Sequence, residues 1–181
     1  MQSLAGPEPV LQWCYNSAER PSYLAGMRPF PMTQLIHENF SIVMTFAFSR
    51  RPLERMVQAR FSGEWKYLNK ALFDVSEMRA QRACLEFAIL LRQLDDDDPM
   101  SEGMKKGDPD GYGDLIALDG STRRLTLRDV CNKIIHAASL TWDWSKPDWP
   151  VLICEAQERQ DWQRAEIHWV QVAAACGNIM A

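Results

Sequence analysis

The sequence predicts an α+β fold, one domain with a helical-bundle core and a small antiparallel β-sheet made by two hairpins, and three observations point there. Residues 66–94 run without Gly or Pro, and Leu68, Leu72, Val75, Cys84, Phe87, Leu91 and Leu94 recur along one side at helical spacing. Residues 115–127 and 151–172 each place two apolar runs around a polar turn, the pattern of a β-hairpin. Thr126 followed three residues later by Asp129 reads as a capping box, in which each side chain satisfies a free amide at a helix start. A chain of 181 residues buries one sizeable core, so a single domain over 32–181 is expected behind an N-terminal arm over 1–31.

Taken in order, the arm holds Pro7, Pro9, Pro21, Pro29 and Pro31, which restrict it to short pieces of structure. Residues 40–48 mix β-branched and aromatic side chains, so strand and helix are equally supported there. Pro52 suits the first turn of a helix reaching about Phe61. The long helix over 66–94 should end at Asp95, Asp96, Asp97 and Asp98, where like charges crowd the negative end of the helix dipole and Pro99 follows. A polar loop over 95–114 leads to the first hairpin, Leu115–Leu118 and Arg123–Leu127 around Asp119-Gly120. The capped helix spans about 127–139, an aromatic loop with Trp142, Trp144 and Trp149 covers 141–150, and the second hairpin pairs 151–156 with 165–172.

Composition removes several classes of function. A formal net charge of -4 restricts any polyanion contact to a local patch. Five scattered cysteines, odd in number and without a C-x-x-C pair, fit neither a disulfide framework nor a zinc site, and they suit a reducing compartment. No apolar run approaches the ~20 residues of a membrane span, so a cytoplasmic protein without membrane contact is expected. The run Asp108-Pro109-Asp110-Gly111-Tyr112 imitates a calcium loop, but Tyr112 and Asp119 stand where an EF-hand needs a carboxylate or amide and a Glu. No metal and no cofactor are expected.

The chemistry-bearing residues gather on the capped helix. Arg128, Asn132 and His136 follow one another at four-residue steps and share a side, while Leu127, Val130 and Ile134 form another. Arg123, Arg124 and Lys133 lie close in sequence to the helix start and form the candidate nucleic-acid-binding patch, with solvated surface as the plain alternative. Trp142, Trp144 and Trp149 have the ring faces to stack bases, although such residues more often lid a core or an interface.

The segment Asn132-x-x-x-His136, with Ile134-Ile135 between, resembles the signature helix of HEPN domains, helical-bundle proteins that include prokaryotic toxins, phage-defence factors and RNA-processing enzymes. That pattern has an Arg, often with an Asn directly after it, and then a His. Here Cys131 stands where the Arg would be, and Arg128, farther from His136 than the family spacing, is the nearest guanidinium. The resemblance implies a homodimer through the helix carrying Asn132 and His136, a site shared between protomers, and metal-independent RNA cleavage with a toxin's cognate antitoxin or a defence partner. His136 would move a proton or orient the 2′-hydroxyl, Arg128 would stabilise charge on the phosphate, and Asn132 would assist. The competing expectation is a non-enzymatic interaction protein in which the same helix only braces the fold.

Overall fold

The structure, a computed structural model, describes residues 31–61, 66–97, 111–146, 148–158 and 160–179. The predicted arm up to residue 30 and the calcium-like positions 108–110 lie outside the described residues. Helix α1 (Pro31–Arg60) is followed by α2 (Lys66–Asn69), a π-helical turn Lys70–Asp74, and α3 (Val75–Asp97). Strands β1 (Gly113–Ala117) and β2 (Thr122–Arg124) precede α4 (Leu127–Ile135), after which come β3 (Ala137–Asp143), β4 (Val151–Ala156), β5 (Trp162–His168) and α5 (Trp169–Ile179). No helix among the described residues is long and apolar enough to cross a membrane.

The stretch that the sequence left between strand and helix is helical. Ile36, Val43, Phe46 and Ala47 fall on one buried side at helical spacing, and this packing against α3 outweighs the β preference of Ile42 and Val43. The helix passes through Pro52, which was expected to start a new one. Proline removes one ladder bond and crowds the carbonyl one turn earlier, a cost of about 3 kcal/mol; the packing of α1 on α3 offsets it.

The long helical signal over 66–94 contains an irregularity that the pattern does not show. The Val75 amide donates to the Lys70 carbonyl, a five-residue step that defines the π-turn. Ser76 then bonds the Leu72 and Phe73 carbonyls at the junction. The helix also runs through Asp95, Asp96 and Asp97 instead of stopping before them. Arg92, one turn earlier, supplies the neutralising charge, at 2.6 Å from Asp96 and 3.4 Å from Asp95.

The expected antiparallel sheet of two hairpins is present, and it is larger than expected: a fifth strand, β3, joins the hairpin strands in one sheet ordered β2-β1-β5-β4-β3. The predicted helix end was too late and the predicted aromatic loop too long, because the chain leaves α4 at His136 and forms β3 from Ala137 onward. In β3, Leu140 and Trp142 turn inward while Ser139 and Thr141 turn outward, the alternation of a half-buried strand. The second hairpin also ends sooner than expected, at His168, since Trp169, Val172 and Cys176 recur at helical spacing and bury together on α5.

Register explains which sheet face meets the helices. Gly113, Ile167, Leu152 and Trp142 align across four strands, as do Leu115, Ala165, Cys154 and Leu140. Of these rows, all but Leu140 are buried. The alternate rows carry Asp114, Glu166, Arg164, Glu155, Ser139 and Thr141 with Ile116 and Ile153 among them, so the opposite face is mostly polar. The core therefore lies between the helices and one face of the sheet. Trp169 stands at its centre, with Phe87 at 5.8 Å, Trp142 at 6.2 Å and Phe40 at 6.4 Å between ring centroids.

Candidate functional site

Helix α4 begins as the sequence expects. The Asp129 amide donates to Thr126 Oγ1 at 3.1 Å, and the Thr126 amide donates to Asp129 Oδ2 at 3.1 Å. Arg123 adds two bonds to the same carboxylate at 2.8 and 3.2 Å. Burial works to raise the Asp129 carboxyl pKa, and the Arg123 and Thr126 hydrogen bonds outweigh it and hold it below the usual carboxylate range. Leu127, Val130, Cys131 and Ile134 are buried, which fixes the helix on the core.

Cys131, at the position of the expected Arg, is sealed in that core. Burial pushes its thiol up to about 12, so it stays protonated at neutral pH and offers neither a cation nor a nucleophile. Cys84, Cys131, Cys154 and Cys176 are all buried free thiols.

Arg128 is the residue asked to replace the missing cation, and it is already occupied. Its guanidinium bonds the Asp95 carboxylate and lies 3.0 Å from Asp96. With Arg92 these residues form a four-member ionic cluster that ties the start of α4 to the end of α3. The Asp95 side chain has no solvent exposure at all. His136 lies at the opposite end of α4, ~12 Å further along the axis at ~1.5 Å per residue. It is the exposed C-cap residue, with its amide donating to the Asn132 carbonyl at 3.1 Å. No other side chain among the described residues hydrogen-bonds its ring. Asn132, one turn earlier, is half-buried.

The structure thus brings Asn132 and His136 together on one turn and does not bring Arg128 to them within one chain. The predicted basic patch is likewise matched internally. Arg123 is paired with Asp129, Arg124 with Asp114 at 2.8 Å, and the Lys133 ammonium sits 4.5 Å above the Trp162 ring. Burial is the main cause that lowers the Lys133 pKa. No group of three His, Cys, Asp or Glu side chains among the described residues is arranged to hold a metal.

The tryptophans separate into two roles. Trp142 is buried and stacks on Trp144 at 5.9 Å and 18°, while the Trp144 indole donates to the Ala47 carbonyl at 3.0 Å. These two rings lid the core at α1, as such residues usually do. Trp144 and Trp149 also border a cleft of about 540 Å3 between α1 and the β3–β4 loop, with Arg51, Arg55, Gln58 and Lys146 around it. This cleft was not anticipated. Its signal in the sequence is Arg51-x-x-x-Arg55-x-x-Gln58, a polar side of a helix whose existence the sequence left open. Compared with family models, curated proteins and solved structures, the chain matches none.

Proposed function

We propose that this chain is a non-enzymatic interaction protein that pairs with a second copy of itself along α3, and that α4 is a brace within each copy. One observation carries the reading. Val75, Met78, Leu85 and Ile89 are 52%, 62%, 39% and 47% exposed. With Arg82 they follow the alternating three- and four-residue steps of a seven-residue repeat, the repeat that keeps one seam facing a like helix. An antiparallel register opposes Val75 to Leu85 and Met78 to Arg82 of the second copy, whereas a parallel one would oppose two Arg82 guanidinia. The stripe is short, so a modest dimer is expected, with a dissociation constant on the order of 10 µM. Sedimentation at about 100 µM protein then gives an average mass well above the 20.8 kDa chain. Met78→Asp combined with Leu85→Asp returns it to that of the chain, with an unchanged circular dichroism spectrum. A parent protein that stays monomeric overturns the reading.

A second reading is favoured by the exposed imidazole of His136 with Asn132 one turn before it. Under it the chain is an RNA-directed protein of HEPN type, a metal-independent endoribonuclease of toxin or phage-defence kind or a weakened relative, with an antitoxin or defence partner. Arg128 would have to leave Asp95 and Asp96 to reach a phosphate, which argues for the weakened form. His136→Ala is then expected to lower RNA cleavage by about 100-fold or more while leaving the melting temperature unchanged. Absence of cleavage by the parent protein, or equal cleavage by the variant, removes this reading.

A further inference from the structure

We propose that the cleft between α1 and the β3–β4 loop binds a nucleotide, an aromatic base joined to phosphate. Three features of its walls lead to that class. Arg51, Arg55 and Gln58 project from one side of α1 at helical spacing. The Arg55 guanidinium and the Lys146 ammonium, across the cleft from each other, have no ion-pair or hydrogen-bond partner among the described residues. This contrasts with Arg123, Arg124 and Arg128, each bound to a carboxylate of its own chain. The cleft sets Glu54 and Asp148 against Arg51, Arg55 and Lys146, and Glu54 is held by Arg50 at 2.8 Å, so the local balance still favours an anion.

The aromatic part of the ligand finds Trp149. Its ring is steadied edge-on by His168 at 6.0 Å and 64°, and His168 in turn bonds Gln171 at 2.9 Å. Contacts among the described residues hold the start of the loop that carries these groups. Asp143 accepts from the Ser145 amide at 2.7 Å and the Ser145 hydroxyl at 2.9 Å, and Arg51 Nε donates to the Trp144 carbonyl at 3.0 Å. Asp148 takes φ 60, alone among the described non-glycine residues in the left-handed region. Backbone of that kind is kept where the surroundings over-determine it, a habit of ligand sites. The volume of about 540 Å3 lies within the range of small-molecule pockets and accommodates one nucleotide.

The proposal is independent of the α3 stripe and of His136, neither of which borders the cleft. Calorimetric titration of the full chain with the four ribonucleoside triphosphates, with inorganic pyrophosphate and with adenosine tests it. At least one triphosphate is expected to bind with a dissociation constant on the order of 100 µM, and pyrophosphate and adenosine about tenfold or more weaker. Arg55→Ala with Lys146→Ala and, separately, Trp149→Leu should each lose about tenfold or more, while Met78→Asp and His136→Ala bind as the parent does. The exposed positions of Arg55 and Lys146 leave folding intact, which thermal melting verifies. No binding of any triphosphate at about 1 mM, pyrophosphate binding as tightly as the triphosphates, or parent-like binding by the double variant overturns it.

Discussion

Arg128→Met lowers the stability of this protein by about 3 kcal/mol, because it strands a carboxylate that water cannot reach. The Asp95 side chain is wholly inaccessible, and its Oδ1 has no hydrogen-bond partner. Without Arg128 the other oxygen keeps only the Arg92 contact at 3.4 Å, too long for a strong charge-assisted bond. At roughly 2–4 °C per kcal/mol for a chain of this size, the melting temperature falls by about 6–12 °C. Two comparisons make the test specific. Arg123→Met removes a pair whose guanidinium side is 53% exposed and should cost under about 1 kcal/mol. Asp95→Leu together with Arg128→Met should cost less than the sum of the two single changes, as expected when one partner no longer leaves the other stranded. A melting temperature unmoved by Arg128→Met would mean that the cluster does not brace α4, and would release the guanidinium for work on a phosphate.

The same cluster shows why the end of α3 was misread and the start of α4 was not. A capping box is local: Thr126 and Asp129 contain everything needed to satisfy the first turn, so four residues announce it. The fate of Asp95 and Asp96 depends on Arg128, more than thirty positions away, and on Arg92, whose spacing alone is visible. Read as an isolated run of acids, the segment looks like a stop; read with its partners, it is a junction.

Strand β3 was hidden for a related reason. Ala137, Ala138 and Ser139 are acceptable in either a helix or a strand, so nothing local interrupts the preceding helical period. What decides the outcome is the pairing of Leu140 with Cys154 and of Trp142 with Leu152, a choice made by β4. The candidate site suffered most, since a motif lists residue types and spacing but not commitments. Arg123, Arg124, Arg128 and Lys133 look free in sequence and are each matched in space, whereas Arg55 and Lys146 belong to no motif and their charged groups have no ion-pair or hydrogen-bond partner among the described residues. Helical spacing on α1 becomes informative only once α1 is known to be one helix through Pro52.

Gly113→Ala is expected to damage the fold most, with a loss of about 4 kcal/mol or more from backbone strain and displacement of the central strand. Gly113 takes φ 143, and a Cβ there would lie 2.0 Å from the Glu166 carbonyl oxygen, a backbone atom of β5 that cannot turn aside. Around it the chain is held on both sides, by the Leu125 amide on the Gly113 carbonyl at 2.9 Å and by the His168 amide on the Tyr112 carbonyl at 3.0 Å. The added methyl must therefore push β1 off β5 or distort β5 itself, and β5 joins the two hairpins into one sheet. Gly120→Ala supplies the contrast. It also has positive φ, at 81, but faces open space in the β1–β2 turn, so only the backbone term applies, about 1 kcal/mol. Urea unfolding of both variants separates the two costs, and equal midpoints would show that β1 and β5 are not in the close register that unites the sheet.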